Sequence, residues 1–186
     1  MFAALVILAL VALVIFAAIG SYNRLVALRQ TVNGAFADID VQLKQRQDLI
    51  PNLVETVKGY AGHERGTLDE VTAARAAAAS ATSVEGRVQA ENALSGALGR
   101  LFAVAEAYPQ LKANQNFMSL QQELTDIENK LAAARRYFNN AVAEFNAAIQ
   151  RFPAVLFAKA LGFGPRDFFD LGAERAAAQS PPAVKF

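Results

Sequence analysis

The N-terminal end of the chain constrains the fold more than any other part. Residues 2–19 form an uninterrupted apolar run without a charged or polar side chain. As a helix this run is roughly 27 Å long, close to the ~30 Å hydrocarbon core of a bilayer, and a helix satisfies its own backbone there. The sequence therefore predicts a transmembrane anchor over residues 1–21, which includes Phe2, Leu5, Leu8, Leu13, Phe16 and Ile19.

A cleaved signal peptide is the alternative interpretation of this run, and three features favour the anchor. No Lys or Arg precedes the run, it is longer than an ordinary signal core, and only a marginal cleavage site follows at 18–20. A lipoprotein is excluded because the chain has no cysteine to carry the lipid. Arg24 and Arg29 follow the run, so the positive-inside rule predicts a single-pass protein whose large C-terminal domain is cytoplasmic.

The composition excludes several kinds of chemistry. Lys and Arg number 18 against 17 Asp and Glu, and a net charge of +1 argues against a nucleic-acid partner. The absence of cysteine and the single histidine exclude thiol nucleophiles, Cys-ligated zinc and His-based triads within one chain. His63-Glu64 begins like the HExxH motif of zinc peptidases, but Thr67 stands in place of the second His. We therefore predict no enzyme activity, no cofactor and no metal.

Helical periodicity replaces strand alternation from Arg24 onward. Apolar residues recur at steps of three and four from Leu25 to Tyr60 and form one stripe on a helix face. Nothing between Gly20 and Arg24 stops a helix, so the span is predicted to continue into this first long helix. Pro51 interrupts the pattern, and the sequence leaves open whether it kinks or breaks the helix.

Charged residues flank this stripe, and one lies on it. Asp38, Asp40 and Asp48 are spaced for salt bridges with cations such as Lys44, which we favour over a paired-carboxylate site. Arg46 lies on the apolar stripe itself and needs a partner, since an unpaired buried charge is costly. The candidate partners are Glu55, Glu123 and Glu128.

Three further long helices are predicted. The second runs from about residue 63 to 81, the third begins after the N-cap Ser83 and ends near Tyr108, and the fourth begins at the cap Asn114 or Asn116. The fourth helix has about five heptads of apolar residues up to Phe152, which is typical of coiled-coil-like packing. A short amphipathic helix is predicted over 152–162. The predicted core consists of Phe36, Ile39, Leu43, Leu53, Leu98, Leu101, Leu120, Leu124, Ile127, Leu131, Phe138 and Phe145.

Several long sequence words resemble those of a known family. They are YNRLV at 22–26, AFADIDVQLK at 35–44, RQDLIPNLVETVKGY at 46–60, YPQLKANQNF at 108–117 and QQELTDIEN at 121–129. With these words the chain resembles the LemA family along nearly its whole length. The resemblance implies a protein of the bacterial inner membrane, with an N-terminal span and an antiparallel four-helix bundle. It implies no enzymatic activity and no cofactor.

The expected architecture is thus all-α: an anchor over 1–21, a LemA-like bundle over 22–162, and an irregular aromatic and proline-containing tail over 163–186. The aromatic residues of the tail exceed what a thin bundle can bury, which favours contacts with a partner or a membrane. The candidate oligomer or partner contacts are Tyr108, Asn114, Phe117, Phe163, Phe168, Phe169 and Phe186.

The function predicted from the sequence is structural. We expect a membrane-anchored scaffold that self-assembles into a homo-oligomer and organises or shapes the membrane, with the bilayer and itself as partners. The alternative is a monomeric or small-oligomer binding module. It would present the 108–117 loop or the C-terminal tail to another membrane protein, such as a protease or a signalling partner.

Overall fold

The computed structural model describes residues 1–169, apart from the side chains of residues 84 and 85. The described chain contains helices and no strand, so the predicted all-α class is confirmed. The elements are α1 (Phe2–Ala61), α2 (Arg65–Ser80), α3 (Val84–Glu106), α4 (Pro109–Lys112) and α5 (Gln115–Gln150), followed by a short 3-10 helix (Ala154–Leu156).

The longest element, α1, continues without interruption from the apolar run to Ala61 and passes through Pro51. A proline inside a helix removes the N–H that would pair with the carbonyl four residues earlier, which here belongs to Gln47. The Arg75 side chain on α2 donates to this carbonyl instead, with Nε 2.7 Å from the oxygen. Pro51 therefore does not break the helix, because a hydrogen bond from another element satisfies the group that the proline leaves without its donor.

The chain divides into two compact units, and the first contains Met1–Ile39 and Ala134–Phe168. On α1 the buried residues of this unit follow helical spacing, and on α5 they form a continuous face. They are Leu25, Val32, Ala35, Ile39, Phe138, Ala141, Val142, Phe145, Ala148 and Ile149. The rings of Phe36 and Phe138 lie 5.6 Å apart.

The second unit contains Asp40–Ala133 and also Phe169. All five α-helices contribute to its core, and the alternation of three- and four-residue steps explains which side chains are buried. The core includes Ile50, Leu53, Val57, Leu68, Val71, Leu94, Leu98, Leu101, Leu111, Phe117 and Leu124. The domain boundaries proposed from the sequence, after 21 and after 162, remain predictions.

Polar side chains begin two of the helices as expected. The hydroxyl of Ser83 accepts the Gly86 N–H at 3.0 Å, and Asn114 Oδ1 accepts the Phe117 N–H at 3.0 Å. Each bond satisfies one of the backbone donors that a helix start leaves unpaired. The 108–117 segment, expected to be a loop, contains the single turn α4.

The expected short helix over 152–162 is wrong in detail. The structure has a three-residue 3-10 helix and successive turns there, beginning at a cis Phe152–Pro153 peptide bond. Pro153 has no N–H for a helical bond, and Gly162 has a positive φ of 76°, which ends the turns. The result is a compact turn segment instead of a helix.

Candidate functional sites: the membrane anchor and the ionic cluster

The apolar run at the start of α1 is exposed along its whole length. The side chains of Phe2, Leu5, Leu8, Leu13, Phe16 and Ile19 are between 51% and 83% exposed. α1 is the one helix in residues 1–169 that is long and apolar enough to cross a membrane. Burying a large apolar side chain is worth about 1.5–3 kcal/mol, so this segment has a strong drive to leave water.

The second unit contains a buried ionic cluster, defined here as Arg46, Gln47, Glu91, Ser95 and Glu128. Arg46 donates hydrogen bonds to Glu91 at 3.0 Å and to Ser95 at 2.8 Å, and it forms an ion pair with Glu128 at 3.2 Å. The Gln47 amide donates to the other oxygen of Glu91 at 3.2 Å. The Arg46 and Glu91 side chains are only 5% and 1% exposed, whereas Glu128 is half-exposed. The guanidinium thus bridges helices α3 and α5.

The ionic cluster is suited to holding helices together. Both oxygens of Glu91 accept hydrogen bonds from side chains of α1, so this carboxylate is fully engaged. A general base needs to reach the proton of a bound substrate, and a carboxylate held in this way does not offer that. Burial of paired charges makes the loss of one partner costly, because the other charge is left uncompensated.

The acidic residues singled out on α1 are engaged in separate salt bridges. Lys44 Nζ lies 2.8 Å from Asp48 one turn further along, and Arg87 pairs with Asp40. Asp38 is exposed. The structure therefore places these carboxylates at the edges of the apolar stripe and does not gather them into one site.

The 108–117 segment makes contacts inside its own protomer. The Tyr108 hydroxyl lies 3.4 Å from Glu64, and the Asn114 amide donates to the Tyr60 hydroxyl at 2.9 Å. Phe117 is buried and meets Phe102 edge to face, with ring centroids 6.3 Å apart. Phe117 is therefore a core residue in this structure, which corrects its proposed place among the partner contacts, because α4 turns the chain so that this ring faces inward.

The aromatic residues after α5 also differ from one another. Phe163 is buried, with Tyr22 at 5.7 Å, Phe145 at 6.5 Å and the Arg29 guanidinium at 5.0 Å from its ring. Phe169 is buried as well, whereas Phe168 is 47% exposed. Phe163 and Phe169 thus become core residues instead of partner contacts, since their rings are covered within the chain. Phe186 lies outside the described residues.

The residues predicted to form the core are placed as follows. Phe36 and Leu120 are half-buried, and the remaining ten are at most 7% exposed: Ile39, Leu43, Leu53, Leu98, Leu101, Leu124, Ile127, Leu131, Phe138 and Phe145. The apolar stripes read from the sequence therefore coincide with the buried faces of α1, α3 and α5.

A sequence profile of the LemA family matches residues 35–186. The chain belongs to the LemA family. The magnetosome protein MamQ of Magnetospirillum gryphiswaldense is 23% identical over 86% of this chain and 67% of that protein. MamQ 2 of Paramagnetospirillum magneticum is 24% identical over 96% of this chain and 75% of its own length. Protein LemA of Metamycoplasma hominis is 26% identical over 74% of this chain and 63% of its own length.

The LemA profile begins after the apolar run, but the similarity to MamQ 2 extends further. The alignment with MamQ 2 covers 96% of this chain, so the few residues that it leaves out cannot include the whole apolar run. The words that carry the LemA resemblance include Arg46 of the ionic cluster and Tyr108, Asn114 and Phe117 of the 108–117 segment. In this chain these residues make the contacts that join helices to one another.

Sequence reasoning missed three members of the ionic cluster: Gln47, Glu91 and Ser95. Glu128 was among the candidate partners of Arg46, but Glu91 was not. A signal was present, since Glu91 lies three residues after Val88 and three before Leu94, on the apolar stripe of α3. Arg46 on the apolar stripe of α1 and Glu91 on the apolar stripe of α3 have opposite charges. Their ion pair explains why a charged residue occurs on each stripe.

Proposed function

We propose that this LemA-family protein is a membrane-anchored structural protein that self-assembles into a homo-oligomer and organises the surrounding membrane. The observation that carries the proposal is α1, a 60-residue helix whose N-terminal part is exposed and apolar. The same helix continues into the second unit, where Arg46 joins it to α3 and α5. The apolar run and the α1 residues of the second unit therefore belong to one continuous helix, which suits a scaffold.

Two surfaces support self-association. Ala9, Ala12, Ala17 and Ala18 lie in the apolar run, and small residues allow spans to approach closely in lipid. Outside the run, large apolar side chains remain exposed at Val41, Tyr60, Met118 and Tyr137. We further propose that the long helices form an antiparallel four-helix bundle, with the helical domain in the cytoplasm. The LemA resemblance supports the bundle, and Arg24 and Arg29 support the orientation.

The burial of Phe117 and Phe163 weakens the alternative of a partner-binding module. Both rings are covered inside the protomer, so they do not offer a docking surface. Crosslinking in native membranes separates the two functions. A ladder of self-crosslinked species is expected, whereas one heterologous band without a ladder would support the binding module.

The mass of the intact protein in lipid nanodiscs tests self-assembly directly. A multiple of the protomer mass is expected, and a strictly monomeric species would contradict the proposal. Enlarging the small residues with A9L and A12L is expected to lower the multiple if the spans form the contact. L10A, which keeps the span apolar without enlarging a small residue, is the matched control.

A further inference from the structure

The turn segment after α5 has an unusual distribution of side chains. Its large apolar side chains are more than half exposed: Phe152 at 79%, Val155 at 52%, Leu156 at 73% and Leu161 at 52%. The small residues Ala154 and Ala158 of the same segment are buried instead. A segment that folds onto its own protomer buries its large apolar groups, so this inverted arrangement points to an apolar environment beyond residues 1–169.

The turn segment lies beside the end of the apolar run. A cleft of about 310 Å³ is lined by Ala17, Gly20 and Ser21 of α1 and, on its other side, by residues 151–154 and Ala148. Both walls belong to the first compact unit. The start of the turn segment and the end of the apolar run therefore line the same cleft.

The length of the apolar run indicates where this cleft lies relative to the bilayer. Residues 2–19 cover roughly 27 Å, slightly less than the ~30 Å hydrocarbon core, so Gly20 and Ser21 fall near its boundary. Ala17 then lies about 5 Å inside that boundary. Interfacial segments bury their apolar side chains about 5–10 Å into the headgroup and acyl boundary. A segment packed beside Ala17 lies at this depth.

The charges around the cleft suit an anionic headgroup. Arg24 and Arg151 line it, and among residues 1–169 no carboxylate does. Glu144 lies 3.8 Å from Arg24, but both side chains are 59% exposed, and such pairs are weak. Segment 152–161 itself carries Lys159 and no acidic residue. A guanidinium presents several N–H donors in a plane that matches the oxygens of a phosphate.

We propose that segment 152–161 is a second, interfacial membrane contact, and that the cleft between Arg24 and Arg151 binds the phosphate of an anionic phospholipid. Phe152, Val155, Leu156 and Leu161 enter the headgroup and acyl boundary beside the span. The inference rests on the membrane insertion of α1 in the proposed function. It adds a lipid site to a part of the chain far from the anchor in sequence.

The chain contains no tryptophan, so a single introduced Trp reports on one position. L156W, F16W and Y137W are compared as full-length proteins in vesicles whose lipids are brominated near the headgroup end of the acyl chains, which quench nearby Trp fluorescence. Tyr137 is 54% exposed and lies thirteen residues before Gln150 on α5, roughly 20 Å along the helix, which makes it the matched control. L156W and F16W are expected to lose most of their fluorescence, and Y137W to keep it.

The reporters separate failure of the inference from failure of the anchor. Quenching of F16W with L156W as bright as Y137W would overturn the interfacial contact and leave the anchor intact. A bright F16W would overturn the anchor, and the inference with it.

The lipid site is tested by native mass spectrometry of the full-length protein released from mixed phosphatidylglycerol and phosphatidylcholine nanodiscs. The wild type is expected to retain phosphatidylglycerol preferentially, and R151Q to lose this preference. R136Q removes another exposed arginine, which lies on α5 and does not line the cleft, and it is expected to behave as the wild type. Unchanged retention by R151Q would overturn the site, and release of the lipid by excess inorganic phosphate would overturn its assignment to a lipid.

Discussion

The ionic cluster of the second unit and the turn segment of the first unit depart from the usual separation of polar and apolar groups in opposite directions. In the cluster, charged Arg46 and Glu91 are buried, whereas in the turn segment apolar Phe152 and Leu156 are exposed. The buried charges are satisfied by partners on neighbouring helices of the same chain. The exposed apolar groups have no such solution within the described residues. A buried charge can thus be satisfied by partners on its own chain, whereas an exposed apolar side chain gains stability only from an apolar environment.

The largest effect is expected from charges in the apolar run. An arginine at the centre of a span costs about 2.5–3.5 kcal/mol on insertion scales, so L8R combined with L13R is expected to move the protein out of the alkali-washed membrane fraction. V41R, which places the charge on an exposed position of α1 outside the run, is expected to leave the protein there. If the double variant stays in the membrane, the first unit does not depend on the span for its attachment.

The next largest effect concerns the ionic cluster. E91A leaves Arg46 buried with only the half-exposed Glu128 as an acidic partner, and losing one member of a buried pair costs about 3–5 kcal/mol. We expect the lower end of that range, measured by urea unfolding of the full-length protein in detergent. Exposed Glu123 supplies the control E123A, for which little change is expected. Equal losses for the two variants would show that the cluster does not stabilise the second unit.

Replacing both charges with apolar residues tests whether E91A destabilises the protein by leaving the Arg46 charge uncompensated. R46M combined with E91L removes the buried charges together, and such replacements are often neutral or stabilising. The double variant is therefore expected to be more stable than E91A alone. A double variant as unstable as E91A would mean that Arg46 and Glu91 act through other contacts.

A smaller effect is expected at Pro51. R75A leaves the partly buried Gln47 carbonyl without its donor. A fully buried unsatisfied group costs about 1–3 kcal/mol, so we expect the lower end of that range here. In a P51A background the helix supplies its own N–H to this carbonyl, so R75A is expected to destabilise that protein less. Equal losses in both backgrounds, measured by the same urea unfolding, would show that Arg75 stabilises the fold by another route.

The smallest effect is expected at an exposed ion pair. Arg100 pairs with Glu70 between α3 and α2, with the same residue types as Arg46 and Glu91 but side chains 57% and 46% exposed. Exposed pairs contribute about 0.2–1 kcal/mol, so R100Q is expected to shift the urea midpoint only slightly. A loss as large as that of E91A would contradict the explanation that burial makes the difference.

Local features of this chain were readable from neighbouring residues. The apolar run predicted the exposed end of α1, and the three- and four-residue steps identified Leu53, Leu101 and Leu131, which are buried. Ser83 and Asn114 marked helix starts because a side-chain oxygen before a helix accepts a free backbone N–H. These signals depend on residues within one or two turns of each other, so no knowledge of the packing is needed.

The sequence by itself therefore determined the all-helical class, the apolar span and the buried faces of the long helices. Only the tertiary structure decided that Arg46 pairs with Glu91, 45 residues away, that Arg75 satisfies the carbonyl opposite Pro51, and that Phe117 and Phe163 point inward. Periodicity shows which face of a helix is apolar, but not which other helix covers it. Which helix covers which face depends on contacts between residues far apart in sequence. Such contacts decide that Phe163 is buried whereas Phe168 is exposed.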